Sequence, residues 1–241
     1  MIELQNLSCA YDEKIIFKDI NITIPSHLAI LGANGSGKST LARCLTNISE
    51  YQGTIYIDGK NTKDIDLKEL AKLISYIPTK LEIYDEFISV FDFVLLSRYP
   101  YKEGFFDYTQ EDKAKVHDAL HRLNILPLQN HSVHSLSSGE QQLTLIASAL
   151  VAQSQIIIFD EPTANLDPKN SKIIASHIKE LQKSYTIILI THDLQLASFI
   201  QSPVLFIKEA QATFYEKDFF QLSNLEELYE VSFESLAVKY G

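Results

Sequence analysis

The nine residues Gly32-Ala33-Asn34-Gly35-Ser36-Gly37-Lys38-Ser39-Thr40 follow the spacing G-x-x-x-x-G-K-[ST]. Glycines in such a loop let backbone N–H groups converge on a phosphate with no side chain in the way. The helix that follows aims its N-terminus at the same anion. Lys38 then reaches the β- and γ-phosphates, Ser39 offers a hydroxyl to Mg²⁺, and Thr40 supports the phosphates. Further on, Ile156-Ile157-Ile158-Phe159-Asp160-Glu161 is an apolar run ending in two carboxylates. In a nucleotide site an aspartate at this place holds Mg²⁺ through its water shell. A neighbouring glutamate can orient and deprotonate an attacking water. The plainer alternative is an Asp-Glu turn at a strand end.

Two weaker signals lie around them. Leu136-Ser137-Ser138-Gly139-Glu140 precedes a helical pattern. Ser137 and the backbone at Gly139 could form a second anion site at a helix N-terminus. Ser137 followed three residues later by Glu140 also reads as a capping box, and taken alone the cap is the better reading. His192 follows the apolar run Ile187–Ile190 and Thr191. A strand-end histidine of a parallel sheet lies at the carboxyl edge, where ligands bind.

Positioning these groups requires strands and helices in alternation. Ile20, Ile22 and Ile24 alternate with polar residues, and so does Thr54–Ile57 before an Asp58-Gly59 turn. Leu28–Leu31 is a continuous apolar run entering the glycine cluster, which suits a buried parallel strand. Ser39–Asn47 reads as a helix. Residues 81–152 read as helical, with Val116, Leu120 and Leu123 on one stripe and Leu143, Ile146 and Leu150 on another. Buried strands return at Ile156–Phe159, Ile187–Ile190 and Val204–Ile207, with the helical stripe Ile174, Ile178, Leu181 between the first two. This order predicts an α/β parallel sheet with right-handed crossovers, interrupted by a helical insertion.

Composition narrows the function. The chain has 241 residues, 21 basic and 31 acidic, for a net charge of −10. That field opposes binding along a phosphate backbone, so nucleic acid is not expected as a partner. The longest apolar runs fall far short of the ~20 residues of a membrane span, and Met1–Asn6 lacks the basic start and apolar run of a signal peptide. Cys9 and Cys44 read as reduced, packed thiols of a cytoplasmic protein. His117 and His121 share a helix face at ligand-like spacing, but no third ligand accompanies them, and they read as a solvated pair.

Taken in order, the phosphate loop, LSSGE, IIIFDE, Ala164-Asn165-Leu166-Asp167 and His192 resemble the ATP-binding subunit of ABC transporters over essentially the whole chain. The resemblance implies a P-loop NTPase (RecA-like) core, about 1–80 and 153–241, with an antiparallel β subdomain and an inserted helical signature subdomain, 81–152. It implies ATP and Mg²⁺ as ligands. Tyr11 matches the aromatic that stacks on adenine, Gly32 to Thr40 the phosphate loop, Asp160 the metal-side carboxylate and Glu161 the general base. Asp167 matches the aspartate that crosses the dimer seam, and His192 the histidine that contacts the γ-phosphate. Ser137 and Gly139 would contact ATP held by a second copy, so the resemblance implies a homodimer with two ATP sandwiches. It further implies membrane permease subunits, an extracytoplasmic solute-binding protein, and a peripheral place on the inner face of the membrane.

Two positions depart from the family pattern. Ile74-Ser75-Tyr76-Ile77-Pro78-Thr79 ends in Thr79 where the family has a glutamine that touches Mg²⁺ or the attacking water. Slower hydrolysis, or metal contact through an extra water, is expected. Lys208-Glu209-Ala210-Gln211 lacks the usual turn glycine. Ala210 at positive φ would cost roughly 1 kcal/mol, so a different turn is expected there.

The stretch Leu95-Leu96-Ser97-Arg98-Tyr99-Pro100-Tyr101 resembles one in importers of iron–siderophore complexes, haem and cobalamin, and Leu225–Val231 resembles that subgroup's last helix. Manganese and zinc importers share a similar Arg-Tyr stretch and remain the alternative, as does a soluble ABC-type ATPase without a permease.

Overall fold

The computed structural model describes residues 1–83, 85–102, 107–230, 232, 235 and 240. Val231, in the stretch likened to the subgroup's last helix, lies outside the described residues.

Strands β1 (Ile2–Tyr11) and β2 (Lys14–Ile24) form an antiparallel hairpin, followed by β3 (Leu28–Gly32) and helix α1 (Lys38–Leu45). Next come β4 (Gln52–Ile57), the short β5 (Lys60–Asn61), α2 (Leu67–Leu73) and β6 (Ile74–Ile77). Helices α3 (Val90–Leu95), α4 (Gln110–Arg122) and α5 (Ser138–Ala152) fill the middle of the chain. The last third alternates β7 (Ile156–Asp160), α6 (Pro168–Leu181), β8 (Thr186–Ile190), α7 (Leu194–Ile200), β9 (Val204–Lys208), β10 (Gln211–Tyr215) and α8 (Leu222–Tyr229).

Two sheets result. One is antiparallel, in the order β2-β1-β4-β5, and the other runs β10-β9-β3-β8-β7-β6. In the second, β9, β3, β8, β7 and β6 are parallel and β10 is an antiparallel edge. The parallel strands β3 and β7 are buried at every residue, as their unbroken apolar runs require. One apolar cluster joins the two sheets through Phe17, Leu41, Ile55, Ile158 and Ile190. A second packs α3, α4 and α5 onto the other face of the large sheet, against Ile157, Phe159 and Leu189. The helical middle is thus carried on the sheet that holds the carboxylates.

Arg98 fixes the packing within the helical middle. It is 4% exposed, donates to Asp112 Oδ1 at 2.7 Å and to the Val151 carbonyl at 3.0 Å, and lies 3.6 Å from the centre of the Tyr101 ring. Tyr101 donates to the Ala152 carbonyl at 2.8 Å. The Arg-Tyr pair therefore ties the C-terminus of α5 to α4. Phe91 packs its ring on His117 with centroids 5.0 Å apart.

The turn at Glu209-Ala210 corrects an expectation. Both residues take positive φ, 50° and 61°. A two-residue β9–β10 hairpin needs a left-handed turn to match the twist of its strands, and that need overrides the alanine penalty. The Ala210 carbonyl is anchored by the Lys18 amide at 3.0 Å.

Candidate functional site

The register of the large sheet gathers the chemistry at one edge. Asp160 pairs with Ile190, and Gly32 with Ile207, so the C-terminal ends of β3, β7, β8 and β9 share that edge. The residues after Asp160 and Ile190 must then be neighbours: Glu161 from β7, Thr191 and His192 from β8.

The phosphate loop wraps the end of β3. Gly37 sits at φ 100°, and a Cβ there would lie 2.5 Å from Ile16 Cγ2, so only glycine lets β2 approach the loop this closely. Lys38 is 6% exposed and donates from Nζ to the Gly32 and Ala33 carbonyls at 2.9 and 3.0 Å. Burial pulls its pKa down, and the carboxylates of Glu161 and Asp160 pull it back up. The loop also holds a buried hydroxyl, Ser36 Oγ, with no partner among the described residues. A phosphate in the loop would give that hydroxyl an acceptor. Asn34 and Gly35 form the exposed rim; Ser39 and Thr40 lie in the first turn of α1.

Asp160 is 2% exposed, and both its oxygens are held. Ser39 Oγ donates to Oδ1 at 3.0 Å, and Tyr76 from β6 donates to Oδ2 at 2.7 Å. Burial, then Asp160 itself, pushes the Tyr76 hydroxyl's pKa up, while Arg43 opposes the shift. Tyr76 therefore stays a protonated donor. Ser39 and Asp160 supply hard oxygen donors side by side, a set that fits Mg²⁺.

Glu161 takes φ 50°, a left-handed conformation that costs a non-glycine residue roughly 1 kcal/mol. Its amide is fixed by the Ile190 carbonyl at 2.8 Å. Its Oε2 accepts from Thr191 Oγ1 at 3.2 Å and the His192 amide at 3.3 Å, and lies 2.9 Å from His192 Nδ1. Its Oε1 lies 3.9 Å from Lys38 Nζ. His192 itself is exposed, with Asp193 behind it capping α7.

Among the described residues no hydrogen bond or ion pair joins the other predicted residues to this cluster. Tyr11, at the end of β1, is 46% exposed, with its hydroxyl 3.2 Å from Ser49 Oγ. Thr79 is half-buried two residues beyond β6, and among the described residues no hydrogen bond ties it to Asp160 or Glu161. Ser137 is exposed and closes a full capping box with Glu140 at the start of α5. Gly139 is buried, and a Cβ there would lie 2.8 Å from Asn170 Cγ. Asn170 Nδ2 in turn donates to Asp167 Oδ2 at 2.5 Å. The Asn170 backbone amide, ahead of that side chain, holds the Asp167 carboxyl below its ordinary range. Gly139 and Asp167 thus meet through one asparagine.

Comparison with known proteins decides what this geometry belongs to. The family model described as "ABC transporter" matches residues 17–164. The chain belongs to the ABC transporter ATP-binding family. The cassette is 31% identical to the petrobactin import ATP-binding protein YclP of Bacillus subtilis (strain 168), over 96% of this chain and 94% of that protein. It superposes with a TM-score of 0.83 on a chain of a transporter described as metal-chelate type in an inward-facing conformation, 28% identical, covering 96% of this chain and 89% of that one. A dimeric post-hydrolysis state of the cassette MJ0796 with ADP and Pi matches at a TM-score of 0.76 and 26% identity, covering 91% of this chain and all of the other. The fold is the ABC cassette on a P-loop NTPase core, and the protein is an ATPase. Among the described residues, no helix is long and apolar enough to cross a membrane.

Three site residues escaped the sequence reading: Tyr76, Thr191 and Asn170. Strand register explains the first: Tyr76 pairs with Ile158 across parallel strands, and Ile158 shares a face with Asp160 because side chains repeat every second residue.

Proposed function

We propose that this cassette hydrolyses ATP to power an importer of an iron chelate. The observation that carries hydrolysis is the placement of Glu161. Its carboxylate stands between Lys38 Nζ and the Thr191–His192 turn, ready to take a proton from water at the γ-phosphate. On this reading Lys38 leaves the Gly32 and Ala33 carbonyls for the β- and γ-phosphates, and the loop residues Gly32 to Thr40 hold the phosphate chain. Tyr11 stacks on the adenine. His192 contacts the γ-phosphate, and Thr79 adds a hydroxyl near the attacking water. Ser39 and Asp160 would hold Mg²⁺, which would supply positive charge to the phosphate oxygens. Most of the rate then comes from positioning and charge neutralisation.

Ser137, Gly139 and Asp167 complete the site of a second copy, giving a homodimer with two sandwiched ATP molecules. The stretch 81–152 acts as the helical subdomain. A groove of about 410 Å³ runs where it meets the core, lined by Ala71, Ile77, Leu96, Tyr99, Pro100 and Leu145. Leu96 and Tyr99 are 51% and 61% exposed there. Such an apolar groove suits a permease segment on the inner membrane face. The solute follows from the likeness to YclP and to the metal-chelate-type transporter.

The test is co-purification of the tagged chain from detergent-solubilised membranes of its host, then reconstitution of what accompanies it. A polytopic permease whose vesicles take up a ferric chelate on ATP addition supports the reading. Recovery with soluble proteins alone, and none in membranes, refutes it.

A further inference from the structure

Asp160 is clamped from two directions. Ser39 holds Oδ1 from α1, and Tyr76 holds Oδ2 from β6. Arg43, four residues after Ser39 on the same face of α1, opposes the rise in the Tyr76 hydroxyl's pKa. The carboxylate thus joins α1 to β6, through Ser39 at one oxygen and Tyr76 at the other. A carboxylate bonded at one oxygen can still turn about its Cβ–Cγ bond; one bonded at both cannot. The phenol is uncharged, so it fixes the group without adding a cation beside the metal position. Tyr76 also stands three residues before Thr79, on a strand end that borders the groove between the subdomains.

We propose that Tyr76 is a positioning residue for the metal–nucleotide site. Its hydroxyl locks the rotation of Asp160 so that Oδ1 stays presented beside Ser39, and it couples that carboxylate to the strand lining the groove. In this chain, where threonine replaces the usual glutamine, the connection from groove to metal runs through Tyr76. The proposal rests on the reading of Ser39 and Asp160 as the Mg²⁺ pair.

The test is Tyr76→Phe in the full chain, which removes one oxygen and keeps the ring. Mn²⁺ serves as the probe, with free Mn²⁺ counted by electron paramagnetic resonance in the ADP-loaded protein. ADP affinity is measured separately in EDTA by calorimetry. The Mn²⁺ dissociation constant should rise about fivefold, while metal-free ADP affinity stays within a factor of two. A packing role alone would move both constants together, or neither, and either result overturns the proposal. The underlying metal reading fails in a different way: the unaltered protein would then bind no Mn²⁺ with its ADP.

Discussion

The two groups of residues proposed to serve the nucleotide are wired differently. Around Lys38, Asp160 and Glu161, the groups reach across the fold. Ser39 meets Asp160, Tyr76 meets Asp160, and Glu161 meets residues some thirty positions away. Around Ser137 and Asp167, the polar groups are satisfied within their own helix starts: Ser137 by Glu140, and Asp167 by the Lys169 and Asn170 amides. The first half is buried and assembled by sheet register. The second is exposed, and each part of it is complete as a helix cap. A site organised within one chain can hold nucleotide by itself. A capped, outward-facing half is satisfied without nucleotide, and on the proposed reading it serves a second copy.

The largest break in that contrast comes from Glu161→Gln. It keeps the shape of the wired half and removes its proposed base. Turnover should fall by about 10²–10³-fold, and a nucleotide-bound dimer should accumulate on size-exclusion chromatography with ATP. Normal hydrolysis by this variant would remove Glu161 from the role of base. Ser137→Arg strikes the other half. A long cation at an exposed cap should lower turnover by about 10²-fold by blocking closure against a second copy. ATP binding to the monomer, measured by calorimetry, should hold. If monomer binding fell as well, the two halves would not be separate. Thr79→Gln sharpens the wired half. A longer side chain with a carbonyl oxygen should raise the ATPase rate about threefold, the size of one modest hydrogen bond; an unchanged rate would leave Thr79 without a part in hydrolysis.

The same contrast explains how far the sequence could be read. Phosphate-loop spacing and the strand ending in Asp160-Glu161 are local patterns, and each foretells its own backbone. The alternating and continuous apolar runs likewise announced β2, β3, β4, β7 and β8. Register is not local. Nothing in the order of residues places Tyr76 against Asp160 or Thr191 against Glu161; those contacts exist because β6, β7 and β8 are neighbours in the sheet. Backbone strain is also invisible in a string. Glu161 and Ala210 both occupy positive φ, which residue type argues against, because the fold around them fixes the turn. Arg98 marks the opposite limit. Its stretch pointed to a subgroup of importers, yet its side chain is spent inside the fold on Asp112 and Val151. The exposed part of that stretch is Leu96 and Tyr99.

The smallest effect is the most discriminating, because it acts on the cap and on the phosphate site together. Glu140 accepts both the side-chain hydroxyl and the amide of Ser137, and these bonds hold its pKa below the ordinary 4.5. A carboxyl depressed on folding contributes stability that is fully present above its unfolded value and is lost as pH falls through the folded one. Glu140→Gln can still accept from Ser137 but does not titrate. At neutral pH the glutamate protein should be more stable by about 0.5 kcal/mol, the worth of a screened charge at a helix start. That margin should vanish as the pH drops below 4.5, which denaturant melts at several pH values will show. Catalysis should move the other way. The carboxylate stands beside the hydroxyl proposed to meet the γ-phosphate of a second copy, and like charges there oppose closure. Removing the charge should tighten ATP-driven dimerisation about twofold, more at low salt than at high. A variant that loses cap stability and gains nothing in dimerisation would leave Ser137 as a helix cap and no more.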